Sequence, residues 1–225
     1  TFSIAEIWRK RLSRGRFSPM FYDSASGATS WLYQMVCPLS GDGPNLGAND
    51  GSHLLQLTES CYRDFRPSVQ LASNLFEGRR AYANNGLWDT HLAWMGIVNK
   101  ETKPAQYVNC DYDSGGYKVL RVTGVNVIFR YPKFYYRPSQ ADAMHVDLWV
   151  NGTNFLVDAG SYSYNSIPDL SGYFNGTASH NTIQFDDRDQ MPKLGRFLFG
   201  SWLKTKQVSP IVVSDSLVSS SASYR

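Results

Sequence analysis

Hydrophobic positions along this chain follow two periods, and the change from one to the other falls near its middle. In FSIAEIWRKRL the residues Ile4, Ile7, Trp8 and Leu12 share one helical face. SGATSWLYQMV starts at Ser26 and Gly27 and runs to Cys37-Pro38, which predicts a short helix. In RPSVQLASNLFEGRRAY, Pro67 suits a first helical turn, and Val69, Leu71, Ala72, Leu75 and Phe76 make an apolar face. LWDTHLAWMGIV repeats the helical spacing through Leu87, Trp88, His91, Leu92 and Met95.

Downstream the period becomes two. YKVLRVTGVNVIFRY alternates from Lys118 to Tyr131 with a break at Thr123-Gly124. In AMHVDLWV, Met144, Val146, Leu148 and Val150 fall on one face, and His145, Asp147 and Trp149 on the other. Asn151-Gly152 is a hairpin turn signal, and NFLVDAG follows it as the return strand. SHNTIQFDD and GRFLFGSW read as further short strands, with no helical pattern between them. The expected fold class is therefore α+β and multidomain: helices over 1–103, then an antiparallel β-sandwich over 104–225. The charged stretch NKETKPAQ marks the boundary, and GDGPNLGANDGSHLLQL reads as a structured loop.

Composition narrows the function only a little. Aromatic residues make up 14% of the chain and charged residues 18%. Many Tyr and Trp with few charges suit carbohydrate grooves, and equally a β-rich core. The net charge of +3 comes with a basic run from Trp8 to Arg16 but no recognition motif, so no nucleic-acid partner is expected. Cys37, Cys61 and Cys110 are far apart, which excludes a zinc knuckle or CxxC redox motif. No apolar run is long enough to span a bilayer. A chain that starts at Thr1 and stops at SDSLVSSSASYR reads as a piece of a longer one, so the lack of a visible signal peptide carries little weight.

The candidate chemistry concentrates in RPSQADAMHVDLWVNGTNFLVDAG, with Gln140, Asp142, His145, Asp147 and Asp158. His145 is a candidate base because it opposes the Met144/Val146/Leu148 side; a hydrogen-bonded strand histidine is the plainer alternative. In the loop, Asn45, Asn49, Asp50 and His53 sit among glycines. The amides and Asp50 can line a sugar cleft or simply cap turns. Arg63 and Arg66 can meet a substrate carboxylate, while Asp64 can cap the helix that Pro67 helps begin. Tyr131, Tyr135, Tyr136, Tyr162, Tyr164 and Tyr173 are candidates for stacking on sugars or for the core.

Five segments occur in order: PNLGANDGSHLLQL, YRDFRPSVQLASNLFEG, QADAMHVDLWVNG with LVDAGSYSYN, ASHNTIQFDDRDQM, and GRFLFGSW. Together they resemble the heparinase II/III-like family of polysaccharide lyases, over nearly the whole chain. The resemblance implies the end of an (α/α) helical toroid followed by an antiparallel β-sandwich. It also implies β-elimination on an acidic, uronate-containing polysaccharide, at the periplasm or cell surface. Such chemistry needs a group to neutralise the uronate carboxylate, a base for the C5 proton and an acid for the leaving oxygen. The family's His-x-His-x-Asp opening falls on Pro138, Gln140 and Asp142, so both histidines are replaced. Its zinc roles fall on Gln140, Asp158 and His180, and glutamine is a poor zinc ligand beside histidine. The resemblance therefore leaves two expectations open. In one, Asp158 and His180 hold zinc, with His180 or His145 serving catalysis and Asn45, Asn49, Asp50, Arg66 and Gln140 binding substrate. In the other, no cofactor is bound and these groups satisfy one another in an altered, polysaccharide-binding relative.

Overall fold

The computed structural model describes residues 1–49, 51–55, 57–196, 198–215 and 217–225. It divides into two compact units. The first comprises Thr1–Gly43 and His53–Tyr107, and the second Pro44–Ser52 and Val108–Arg225.

The first unit is helical. α1 (Phe2–Arg11) ends in Arg9, Lys10 and Arg11, a basic last turn that suits the negative end of the helix dipole. Arg9 also reaches back to the buried Glu6 with bonds of 2.7 and 2.8 Å, and the Tyr22 hydroxyl donates to the same carboxylate. α2 (Pro19–Met35) begins well before Ser26, because Ser18 accepts the Phe21 amide and Pro19 occupies the first turn. α3 (Arg66–Ala72) runs into a π-helical turn at Ser73–Glu77, closed by Gly78 in the left-handed conformation. A 3-10 turn (Leu87–Asp89) leads into α4 (Thr90–Met95). Two apolar clusters hold the unit together. In one, Tyr33, Val36, Val69 and Tyr82 pack with Tyr107, which stacks on Tyr33 at 4.4 Å. In the other, Ile7, Leu71 and Leu92 pack with Leu75 and Met95.

The second unit is built on a five-stranded antiparallel meander. Its strands are β1 (Cys110–Tyr112), β2 (Tyr117–Val122), β3 (Val125–Arg130), β4 (Val146–Val150) and β5 (Thr153–Asn154). β2 and β3 pair along their whole length across Thr123-Gly124. Asn151 (φ 48°) and Gly152 (φ 86°) form the left-handed turn between β4 and β5. The return strand is shorter than NFLVDAG suggests, because the Phe155 and Leu156 amides both converge on the Leu148 carbonyl. Three two-stranded ribbons follow: β6 (Lys193–Gly195) with β7 (Leu198–Phe199), β8 (Thr205–Val208) with β11 (Ala222–Tyr224), and β9 (Val212–Val213) with β10 (Val218–Ser219).

Two expectations are corrected here. A helix, α5 (Pro168–Asn175), interrupts the strand region, with Pro168 in its first turn and Asp169 at its positive end. SHNTIQFDD is not a strand: it holds a 3-10 turn's end and a tight turn in which Asp186 (φ 50°) and Asp187 (φ 53°) are left-handed under a Phe185–Arg188 bridge.

Candidate functional site

The alternation of β4 is as the sequence suggests, but its polar face is the buried one. Asp147 and Trp149 are buried while Val146, Leu148 and Val150 are half-buried. His145, just before the strand, is fully buried rather than exposed. Buried polar groups require partners; each of these groups finds one on one side, while Asp147 Oδ2 and the Nε2 atoms of His145 and His180 have no hydrogen-bond partner among the described residues. Asp147 Oδ1 accepts from the Trp149 indole and from Asn154 Nδ2 at 3.1 Å. Met144, next to His145, has a left-handed backbone (φ 64°), a conformation costing roughly 1–2 kcal/mol for a residue with a side chain. That strain sits where the chain enters the polar cluster.

At the cluster's centre is Asp158, 1% exposed. Its Oδ1 accepts the Gly160 amide at 2.6 Å. Its Oδ2 lies 2.8 Å from His180 Nδ1 and 3.4 Å from His145 Nδ1. Burial alone would push the Asp158 carboxyl up; the His180 bond and charge, the Gly160 amide and the proximity of His145 hold it below its ordinary value. Two backbone links fix this geometry: the Val146 amide donates to the Asn181 carbonyl at 3.0 Å, and the Asn181 amide donates to His145 Nδ1 at 3.2 Å. Gln190 clamps the same corner, its Oε1 accepting the Ala143 amide and its Nε2 reaching the Ala143 carbonyl. A ladder of His, Asp and His within 4.8 Å of one another results, all three buried.

The other candidates are placed around or away from it. Asp142 is fully buried in an ion pair with Arg130, whose guanidinium lies over the rings of Tyr117 and Phe134. Gln140 is also fully buried; its Nε2 donates to the Gly160 carbonyl at 3.2 Å and its Oε1 has no hydrogen-bond partner. Asn45 Nδ2 donates to the Asp158 carbonyl at 3.0 Å, and the Asn49 amide donates to Ser161 Oγ while its side chain caps Gly51. These amides brace backbone around Asp158. Asp50 lies outside the described residues. Arg66, in the first unit, is bound to Asp64 through two 2.8 Å bonds and lies 4.7 Å from the Trp88 ring centroid. Arg130, Asn181 and Gln190 belong to the cluster and carry no motif that singles them out in the sequence.

The donors fit zinc in kind. Zinc takes imidazole nitrogen and carboxylate oxygen at about 2.0–2.2 Å, and His145, Asp158 and His180 offer two of the first and one of the second. The orphaned Oε1 of the buried Gln140 is a further polar atom without a partner.

In the same unit the surface opens into a pocket of about 320 Å³ lined by Ala48, Tyr136, Arg137, Pro138, Ser139 and Tyr164. Tyr136 is exposed, and the Arg137 guanidinium lies 5.8 Å from its ring centroid.

Residues 110–225 match the family described as heparinase II/III-like, C-terminal. No curated protein matches the chain. Among solved structures, the heparan sulfate lyase HepC from Pedobacter heparinus is similar at 16% identity and TM-score 0.58, over 93% of this chain and 30% of that one. A heparinase III described as the BT4657 gene product is similar at 17% identity and TM-score 0.56, over 86% of this chain and 27% of that one. At such identities the likeness is one of fold. The chain spans less than a third of the length of either protein.

Proposed function

The chain belongs to the heparinase II/III-like family through its C-terminal half, and from that premise we propose that it is part of a protein that binds acidic, uronate-containing polysaccharide. The observation that carries this reading is the pocket beside Pro138. Its Tyr136 and Tyr164 offer faces for sugar rings, and Arg137 offers a planar fork for a carboxylate or sulfate. The helices of the first unit are read as the end of an (α/α) toroid, and the antiparallel strands of the second as the start of a β-sandwich. A periplasmic or cell-surface setting fits such a ligand.

The proton-transfer role expected of His145 and His180 is not part of this proposal. Both rings are buried and face Asp158, whereas a general base has to come within hydrogen-bond reach of the C5 proton. Proline at 138 has no proton to give or take. A second reading, lyase action by β-elimination, is favoured by the family membership; its neutralising group, base and acid would then come from residues other than these two histidines.

The test uses the full-length protein with a panel of uronate-containing polysaccharides, following calorimetric binding and the absorbance of the unsaturated product. Binding without product supports the first reading, and product formation supports the second. No binding to any member of the panel by folded protein refutes both. Arg137→Ala should weaken binding by about 1.5–3 kcal/mol, the range for hydrogen bonds to charged groups, or roughly tenfold to a hundredfold.

A further inference from the structure

A pocket of about 410 Å³ lies between α5 and the turn that joins β6 to β7, with Pro168, Ser171 and Gly172 on one side and Lys193, Leu194 and Arg196 on the other. We propose that it is an oxyanion site, holding a sulfate or carboxylate group of an acidic saccharide through Lys193, Arg196 and the Ser171 hydroxyl. The saccharide as carrier of that group rests on the function proposed above; the oxyanion chemistry does not.

The two cations of this pocket lack counter-ions. Lys118, Arg130 and Arg66 are each paired with an aspartate, whereas Lys193 and Arg196 have no carboxylate within ion-pair distance among the described residues. Lys193 is half-buried, and burial pushes its ammonium below its ordinary value. Asp189 acts on it only from beyond ion-pair distance and does not make up that loss; its Oδ1 accepts the Thr177 amide at 2.7 Å. A partly desolvated cation without a partner favours an anion supplied from solution. Arg196 is exposed and reaches Asn165 Oδ1 only at 3.5 Å, which leaves its guanidinium fork open to a second partner.

The pocket also holds unused donors. Lys193 Nζ donates to the Ser171 carbonyl at 3.0 Å and to Ser171 Oγ at 3.2 Å, so its third proton has no acceptor among the described residues. Because Ser171 Oγ accepts in that bond, its own proton is likewise free to be given to a ligand. The same two contacts hold the ammonium against α5, so an incoming oxyanion meets a cation that has already lost part of its side-chain freedom. An ammonium proton, a hydroxyl proton and a guanidinium fork together suit the oxygens of a sulfate or carboxylate. Exposed Leu194 and Pro168 add apolar surface for the face of a sugar ring. Gly172 keeps the space open: a Cβ at that position would meet nothing within 4 Å.

The experiment uses the full-length protein and three probes: inorganic sulfate, and a uronate-containing oligosaccharide in sulfated and unsulfated form. Binding is followed by calorimetry, with folding checked by circular dichroism. Lys193→Gln should weaken sulfate and oligosaccharide binding about tenfold, the low end of the range for hydrogen bonds to charged groups because the site is half-exposed. Gly172→Glu sets a carboxylate in the open pocket to compete for Lys193, and should weaken both at least as much. Its melting temperature should not fall, since glycine is the poorer helix former. If Lys193→Gln fails to fold, Gly172→Glu carries the test. A preference for the sulfated oligosaccharide identifies sulfate as the group held, and equal affinity identifies the carboxylate. Variants that bind every probe as tightly as the parent overturn the proposal and leave the Arg137 pocket to be judged by its own variant. Sulfate held through Lys193 with no oligosaccharide bound keeps the oxyanion site and removes the polysaccharide reading. Folded protein that binds none of the probes overturns both.

Discussion

The Asp142–Arg130 pair lets the role of the one retained residue of the His-x-His-x-Asp opening be measured. Asp142 is fully buried and the Arg130 side chain is 11% exposed. Asp142→Ala leaves the guanidinium desolvated, with the rings of Tyr117 (5.7 Å) and Phe134 (5.8 Å) and the more distant Asp158 carboxylate to offset the charge. Breaking a buried pair by removing one partner costs about 3–5 kcal/mol. The residual exposure and the two ring contacts, the latter worth about 0.5–1 kcal/mol each where partly solvated, place the expected loss near 3 kcal/mol. For a chain of this size that is a fall in Tm of about 6–12 °C. Arg130→Met alone should cost a comparable amount, since it strands the Asp142 carboxylate. The double variant Arg130→Met/Asp142→Ala removes both charges and should recover at least half of the summed loss. Thermal and urea unfolding followed by circular dichroism give the cycle. Losses that simply add, with coupling below about 0.5 kcal/mol, would refute the view that Asp142 is retained as the partner of Arg130.

Three further outcomes follow from the structure. Ser18→Ala removes the cap of α2 and should cost about 1 kcal/mol in chemical denaturation, while Ser18→Gly should cost only a few tenths. Gly152→Ala forces a side chain into the left-handed turn between β4 and β5 and should cost about 1–2 kcal/mol, read as a lower urea midpoint at unchanged slope. The Arg9 hydrogen bond, with Tyr22 and Lys10, holds the Glu6 carboxyl below its ordinary value of 4.5, against burial. A lowered folded value means the stabilisation is present above 4.5 and is lost as pH falls through the folded value. The stability gap between the parent and Glu6→Gln should therefore close on acidification from pH 6, and a gap independent of pH would contradict it.

How much of this could be read from the sequence differs by element, for physical reasons. The β2–β3 and β4–β5 turns were legible because Gly124, Asn151 and Gly152 supply left-handed backbone where a hairpin needs it. The burial of β4 was not. Periodicity separates two faces but does not say which is inside, and here Asp147 Oδ1 is bound by Trp149 and Asn154 and His145 Nδ1 accepts the Asn181 amide, contacts that no period encodes. α5 was missed because eight residues containing Gly172 are too few to display a helical period, although Pro168 and Asp169 carry an N-terminal signal. The early start of α2 was available in Ser18-Pro19, a cap followed by proline, which outweighs the weak apolar pattern after it. Around the candidate site, Asp158 and His180 were legible from the resemblance, whereas the convergence of His145 on them depends on contacts 13 and 36 residues away that no local pattern encodes.

The loop Pro44–Ser52 belongs to the second unit although it lies between two stretches of the first. Its Asn45 bonds the Asp158 carbonyl across 113 residues of chain, and closing a loop of that length costs roughly 4 kcal/mol of entropy beyond the constant term. A gene cut at the apparent boundary would therefore express Val108–Arg225 without one of its own segments, leaving Asp158 and Ser161 short of partners. Shortened versions of this protein should carry the loop, either as a tethered peptide ahead of Val108 or as a separate strand added in trans, and the recovery of folding on adding it would measure how much the second unit depends on a piece encoded inside the first.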